Sequence, residues 1–229
     1  MIPLKWFHKL ERKLGRYAIR NLMTYIVVLN AVVFALTILV PQSNLYEKFA
    51  LFPGRVLQGE VWRLITFLFL PPSVSQSLWI IVTLYFYYMV GSNLENQWGS
   101  FRFNLYYLIG VLSTIAASFI GFALTGYGDI STEHLNLSLF LAFAFLFPNF
   151  ELLLFFILPI KVKYIAWFNW AFIALSVIIN PLPMKLAALA SVVNFFVFFG
   201  SDLITTLKLR RQTYKNRKRF RNAFKNNRR

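Results

Sequence analysis

The chain has 229 residues, of which 58% are hydrophobic and only 14% are charged, and its formal net charge is +16. Hydrophobic runs in series within such a composition indicate an integral membrane protein rather than a soluble domain. The absence of cysteine excludes disulfides and thiolate metal sites. Any other metal site is unexpected, because the chain has only two histidines and its eight carboxylates are scattered. We therefore expect no metal and no cofactor, since no Gly-rich nucleotide loop is present either.

The first 21 residues form a basic leader whose apolar side chains recur at near-helical spacing. These apolar positions are Trp6, Leu10, Leu14 and Tyr17. The pattern predicts an amphipathic cytoplasmic helix lying on an anionic membrane surface, and a solvated basic segment is the alternative. Residues 22–40 then predict a first membrane span, which we interpret as a retained anchor because no cleavage site follows it.

Two long uncharged runs, 64–94 and 103–128, are separated by a short polar connector. About 20 apolar residues cross the hydrocarbon core, so the runs predict the second and third spans as an antiparallel pair. We expect Gly91 and Gly99 to give the connector the backbone freedom of a tight turn. The connector holds two charges that can tie the turn to a helix end or to each other, Glu95 and Arg102.

Three more spans are predicted in the second half of the chain. Residues 135–147 form a helix of only about 20 Å, which we expect other helices to surround. Residues 152–159 are apolar but short, and predict a re-entrant or surface-lying segment. Residues 164–179 and 186–207 predict the fifth and sixth spans. On the third span, a small-xxx-small pair predicts close helix contact, namely Ala117 and Gly121.

The distribution of basic residues predicts the orientation. With six spans and a cytoplasmic amino terminus, all but four of the 24 Lys and Arg residues fall on the cytoplasmic side. The four exceptions are Lys48, Arg55, Arg63 and Lys185. Such a bias predicts that both termini are cytoplasmic. The compact loops and the absent cysteines favour a bacterial plasma membrane.

Two motifs resemble those of the rhomboid superfamily, and the resemblance extends over residues 24–207. One motif precedes the second span and the other follows it; their defining residues are Glu60, Trp62, Arg63, Gly91, Glu95, Gly99 and Arg102. The resemblance implies an all-α, six-transmembrane-helix bundle. It also implies that the loop 41–77 is embedded sideways in the outer leaflet, with Trp62 at headgroup depth.

The catalytic pattern of a rhomboid protease is missing. The family needs a serine in a Gly-x-Ser-Gly turn on the fourth helix and a histidine base on the sixth. No histidine follows His134, and Ala188 takes the position of the base. The positions that match the family's oxyanion-side pair and its nucleophile are Trp79, Thr83 and Glu133. We therefore predict no catalytic residues.

One unconventional arrangement stays open as an alternative. His134 and Ser138 are four residues apart, so they share a helix face and can form a hydrogen-bonded dyad of an intramembrane serine protease. Leu137 and Leu139 flank the hydroxyl in place of glycines, which crowds the approach of a peptide carbonyl. In the other interpretation, Ser138 bonds a backbone carbonyl of its own helix and His134 faces water.

The resemblance to inactive members such as the derlins implies a pseudoprotease that binds membrane-protein clients without cleaving them. Polar groups at membrane depth are costly unless paired, so they are candidate client contacts. The candidates are Glu133, His134, Asn136, Ser138 and Asn194, together with Ser131 and Thr132. Alternatively, these side chains pair with one another and with Thr83 to hold the bundle together.

The carboxyl tail, residues 208–229, contains eleven Lys and Arg residues and no acidic residue. Beside a membrane, such a tail predicts anchoring to anionic lipid. Its interleaved aromatic residues, Tyr214, Phe220 and Phe224, also suit phosphate contacts with base stacking, so ribosomal RNA is the alternative partner. A scaffold that docks lipid or the ribosome through this tail is accordingly a third hypothesis for function.

Overall fold

The computed structural model describes residues 11–40, 42, 44–71, 77–128, 132–154 and 158–226. The described chain is mostly helical, which agrees with the predicted all-α membrane class. The helices are α1 (Leu22–Leu39), α2 (Leu45–Phe49), α3 (Pro53–Leu57), α4 (Arg63–Thr66), α5 (Ser77–Trp98), α6 (Ser100–Thr125), α7 (Glu133–Leu146), α8 (Val162–Ile179) and α9 (Leu182–Asn226). Two strands precede α8, namely β1 (Glu151–Leu154) and β2 (Leu158–Lys161).

Four described helical segments are long and apolar enough to cross a membrane. They are Glu11–Leu39, Ser100–Thr125, Val162–Ile179 and Leu182–Gly200. The other two predicted spans fall short for different reasons. Helix α7 has 14 residues, and the last turns of α5 carry polar residues such as Asn93, Glu95 and Asn96. The protein is therefore membrane-embedded, with four candidate spans among the described residues.

The lipid-facing surface is clearest on α8. Trp167, Phe168 and Ile178 are each more than 70% exposed along this one helix. A soluble monomer rarely presents so contiguous an apolar surface to water, whereas the hydrocarbon core accepts it without cost.

The turn between α5 and α6 is tighter than the sequence predicted. Helix α5 continues through Gly91 to Trp98, and only Gly99, at a φ of +83°, separates it from α6. The prediction that Gly91 contributes to the turn is therefore wrong. Gly91 instead allows α1 to approach, because a Cβ there would lie 2.3 Å from Cγ of Met23.

Helices α6, α7 and α9 form the centre of the bundle. Leu141, Ala142 and Phe143 of α7 are buried, so the short helix is enclosed as predicted. The predicted small-residue contact on α6 is also present. A Cβ on Gly121 would lie 3.2 Å from Cα of Pro183, and Ala117 packs in one cluster with Ala187 of α9.

The segment predicted to be re-entrant or surface-lying forms a hairpin. Strands β1 and β2 pair antiparallel, with Glu151 opposite Lys161 and Leu152 opposite Ile160. Extended pairing satisfies the backbone groups of a segment that is too short for a spanning helix. This hairpin is a small exception to the all-α class.

The last helix is longer than the predicted sixth span. Helix α9 begins at Leu182, four residues before the predicted start of that span, and continues through the tail to Asn226 as one helix of 45 residues. In the leader, residues 11–14 are helical and a 3-10 turn, Gly15–Tyr17, follows. The leader positions Trp6 and Leu10 lie outside the described residues.

Candidate functional site in the membrane bundle

Ser138 lies at the junction of the three central helices. Its Oγ is 2.6 Å from the Tyr106 hydroxyl of α6 and accepts a hydrogen bond of 2.9 Å from Nδ2 of Asn194 on α9. The Tyr106 hydroxyl also donates to the Ser138 carbonyl oxygen at 2.8 Å. All three side chains are at most 1% exposed. The predicted candidates Ser138 and Asn194 are thus brought together, but in a closed polar cluster.

A glycine on α6 makes this junction possible. A Cβ at Gly110 would lie 2.5 Å from Cδ1 of Leu135 and 2.9 Å from Nδ2 of Asn194. Any larger residue would therefore displace these two side chains or the helices that carry them. Nothing in the sequence singled out Gly110 or Tyr106, because their contacts come from helices that are distant along the chain.

Ser138 forms hydrogen bonds with Tyr106 and Asn194, and these differ from the bond to His134 that the hypothetical dyad requires. Its hydroxyl is shared between Tyr106 and Asn194, neither of which is a base at neutral pH. Nδ1 of His134 is buried and has no hydrogen-bond partner among the described residues. Ala188, which the resemblance aligns with the base of a rhomboid protease, is fully buried in the core.

The remaining candidates lie at the amino-terminal end of α7. Thr132 is buried and Glu133 is exposed, while Asn136 interacts with the Tyr87 hydroxyl of α5. Ser131 lies outside the described residues. The predicted pairing with Thr83 is not formed, because the Thr83 hydroxyl donates to the Trp79 carbonyl oxygen of its own helix. The five candidate residues therefore form two groups: the closed cluster and the end of α7.

Asn169 on α8 is a buried polar residue that the sequence analysis did not select. It is 6% exposed, and neither its Oδ1 nor its Nδ2 has a hydrogen-bond partner among the described residues. In the sequence, Asn169 could have been recognised as a single amide within an apolar run. It lies on the helix face that also carries Ile173 and Ser176. Oδ1 of Asn194 is likewise buried without a described partner.

The first motif holds the loop before α5. Arg63 is 2% exposed, and its Nη1 donates to the carbonyl oxygens of Glu47 at 2.6 Å and Ala50 at 2.8 Å. Its Nε is paired with Glu60. Trp62 is exposed. Arg63 therefore has a structural role, because it donates to backbone carbonyls that would otherwise be unsatisfied, and Glu60 holds its guanidinium in place.

The second motif joins α1 to the turn between α5 and α6. Glu95 is buried, and its Oε1 accepts hydrogen bonds of 2.7 Å from both the Asn21 backbone N–H and the Ser100 hydroxyl. Arg102 forms an ion pair of 3.5 Å with Glu11 in the leader. The sequence left two arrangements open for Glu95 and Arg102: contacts with neighbouring segments or with each other. Both residues contact neighbouring segments.

The fold and these clusters define a helical, membrane-embedded protein. Among the described residues, no three His, Asp or Glu side chains are grouped so that they could hold a metal ion. No protein-family model matches the chain, and no curated protein or solved structure is significantly similar to it. The likeness to rhomboids therefore depends on the two motifs alone.

Proposed function

We propose that the chain is a rhomboid-like pseudoprotease that binds membrane-protein clients without cleaving them. The observation that carries the proposal is the closed cluster around Ser138. A serine nucleophile needs a base that takes its proton and space for a carbonyl carbon to approach. The Ser138 hydroxyl is fully buried and bonded to Tyr106 and Asn194, so both requirements are unmet.

Client recognition is proposed to use the unsatisfied polar atoms of the bundle. Asn169, Asn194 and His134 each hold at least one buried atom without a described partner. Their helices, α8, α9 and α7, pack against one another. Inside a membrane such atoms cost free energy until something bonds them. These atoms are closed off in the structure, so the proposal requires the helices to part; a client helix that carries Ser, Thr, Asn or Gln can then supply the missing hydrogen bonds.

The proposed topology has six spans, α1 and α5 to α9, with both termini in the bacterial cytoplasm. The chain has no cysteine, so single-cysteine variants report the side of the membrane directly. Lys208→Cys is expected to be shielded from a membrane-impermeant maleimide in intact cells, whereas Lys48→Cys is expected to react. The reverse pattern would overturn the orientation.

Two experiments test the proposal. Purified protein in lipid nanodiscs is expected to remain unlabelled by a fluorophosphonate probe, and labelling that disappears in Ser138→Ala would establish the protease alternative. A photo-crosslinking residue at position 133 is expected to capture membrane proteins in cells. The matched control is position 178 on α8, which is exposed at the same end of the bundle.

The crosslinking result must also depend on the unsatisfied amide. Asn169→Leu keeps the number and branching of the side-chain heavy atoms but removes both polar atoms, so capture from position 133 is expected to fall. Equal capture from positions 133 and 178, unaffected by Asn169→Leu, would contradict client binding in the bundle.

A further inference from the structure

The last helix extends far beyond its membrane-spanning part. The apolar part of α9 is Leu182–Gly200, and the helix continues to Asn226 without a break. At 1.5 Å per residue its 45 residues measure about 67 Å. The hydrocarbon core accounts for about 30 Å, so roughly half of α9 lies outside it. We call the part from residue 208 to residue 226 the extension.

The described part of the extension is not covered by the rest of the protein. The exposed side chains are Lys208, Leu209, Gln212, Thr213, Tyr214, Asn216 and Arg217. At about 100° per residue these positions spread over about 240° of the helix. Between residues 208 and 217, the described side chains of the extension therefore lie free of the bundle.

A continuous helix carries most of the basic residues away from lipid. Measured along the helix from Leu207, residues 208–211 lie within about 6 Å, whereas Arg217 is about 15 Å and Arg221 about 21 Å away. The attraction of an anionic membrane surface decays within a Debye length of about 8 Å at physiological salt. Anionic lipid of the membrane from which the helix emerges therefore attracts the distal cations only weakly, and they are available to another anionic partner.

The charge spacing indicates the chemistry of that partner. Nine Lys and Arg residues occupy positions 208 to 225 with no acidic residue between them. This gives about one positive charge per 3 Å of helix, close to the ~3.4 Å of duplex axis that each phosphate of one nucleic-acid strand occupies. In helical register, the nine positions fall within an arc of about 200°. Tyr214, 69% exposed on this arc, adds a ring on which a base can stack.

We propose that the extension binds RNA through its phosphate backbone. The proposal uses the cytoplasmic orientation of the carboxyl terminus, but it does not depend on client binding by the bundle. Phosphate contacts carry little sequence information, so the expected binding is strong, salt-sensitive and tolerant of sequence.

The test compares two charge-matched variants of the full chain in nanodiscs of neutral lipid. One replaces the distal residues Arg217, Lys218 and Arg219 with Gln, and the other replaces the proximal residues Lys208, Arg210 and Arg211 with Gln. Glutamine favours the helix about as well as lysine and arginine do, so the helix is kept. Binding of a fluorescent single-stranded RNA is measured by anisotropy over a salt series.

Loss of three phosphate contacts lowers the salt slope by about 2, which corresponds to about 50-fold weaker binding at 0.15 M salt. We expect the distal variant to show this loss and the proximal variant to lose less, because the bilayer excludes RNA from the first turn. No RNA binding by the full chain, or equal binding by the full chain and the distal variant, would overturn the proposal.

A second readout distinguishes lipid from RNA. Arg221→Cys, labelled with a polarity-sensitive fluorophore, is expected to respond to RNA and to give the same emission in neutral and anionic nanodiscs. A blue shift that appears only in anionic discs would place the extension on the membrane surface and contradict the proposal.

Discussion

Replacing Tyr106 with phenylalanine removes one hydroxyl from the buried cluster and leaves the ring in place. The ring packs against Trp98, Phe198 and Phe199, and these contacts do not involve the hydroxyl. The change deletes the hydrogen bonds to both the Oγ and the carbonyl oxygen of Ser138. The variant therefore measures polar stabilisation at the helix junction without creating a large cavity.

The expected loss follows from the two deleted bonds. Side-chain hydrogen bonds between membrane helices contribute about 0.6 kcal/mol on average and at most about 1.7 kcal/mol. Tyr106→Phe should therefore lower the free energy of unfolding by about 1–2 kcal/mol. Ser138→Ala breaks the bonds from both Tyr106 and Asn194 to Oγ, and a similar loss is expected. A double-mutant cycle should give a Tyr106–Ser138 coupling of about 0.5–1.5 kcal/mol.

Unfolding by SDS in mixed micelles, followed by tryptophan fluorescence, provides the measurement. Thr83→Ala is the control, because that hydroxyl bonds only the preceding turn of its own helix, and its loss should stay within about 0.5 kcal/mol. A coupling energy below about 0.3 kcal/mol would refute the closed cluster and leave the Ser138 hydroxyl free for other chemistry.

Two further predictions use the same unfolding assay, and a third uses limited proteolysis. Glu95→Ala leaves the Asn21 N–H without its acceptor and should cost about 1.5–3 kcal/mol, whereas a loss below about 0.5 kcal/mol would refute the tie to α1. Gly110→Ala should cost about 1–3 kcal/mol through overpacking, and Leu135→Val should relieve part of that loss in the double variant; strict additivity would argue against the close contact. Arg63→Lys cannot reproduce the fork that reaches two carbonyls, so the loop 44–71 should become cleavable by added protease, and unchanged resistance would contradict its bracing role.

The membrane elements could be predicted because their signal is local. An apolar run of sufficient length specifies a spanning helix by itself, and the bounds of α1 and α8 agree with the prediction to within two residues. Small residues on one face of α6 likewise predicted a close helix contact, and the structure shows that α9 is the partner. The prediction failed where polar residues continued a helix, as in the last turns of α5, and where an extended hairpin replaced a short apolar segment.

The candidate site could be predicted only in part, because it depends on contacts between distant segments. The sequence identified Ser138 and Asn194 as polar residues at membrane depth, but their common partner, Tyr106, looked like one of many aromatic residues. His134 and Ser138 shared a helix face, yet burial and the neighbouring helices decided which groups the hydroxyl bonds. Spacing along one helix cannot report a hydrogen bond that a second helix supplies.

Asn194 and the extension belong to the same helix, so a small rotation of α9 at the bundle produces a large displacement at its carboxyl-terminal end. From Asn194 to Asn226 the helix measures about 48 Å, so a tilt of about 10° at the bundle displaces its tip by about 8 Å. By the same geometry, a load held at the tip exerts a torque on the contact between Asn194 and Ser138. A molecule bound to the extension is therefore mechanically coupled to the helix contacts inside the membrane.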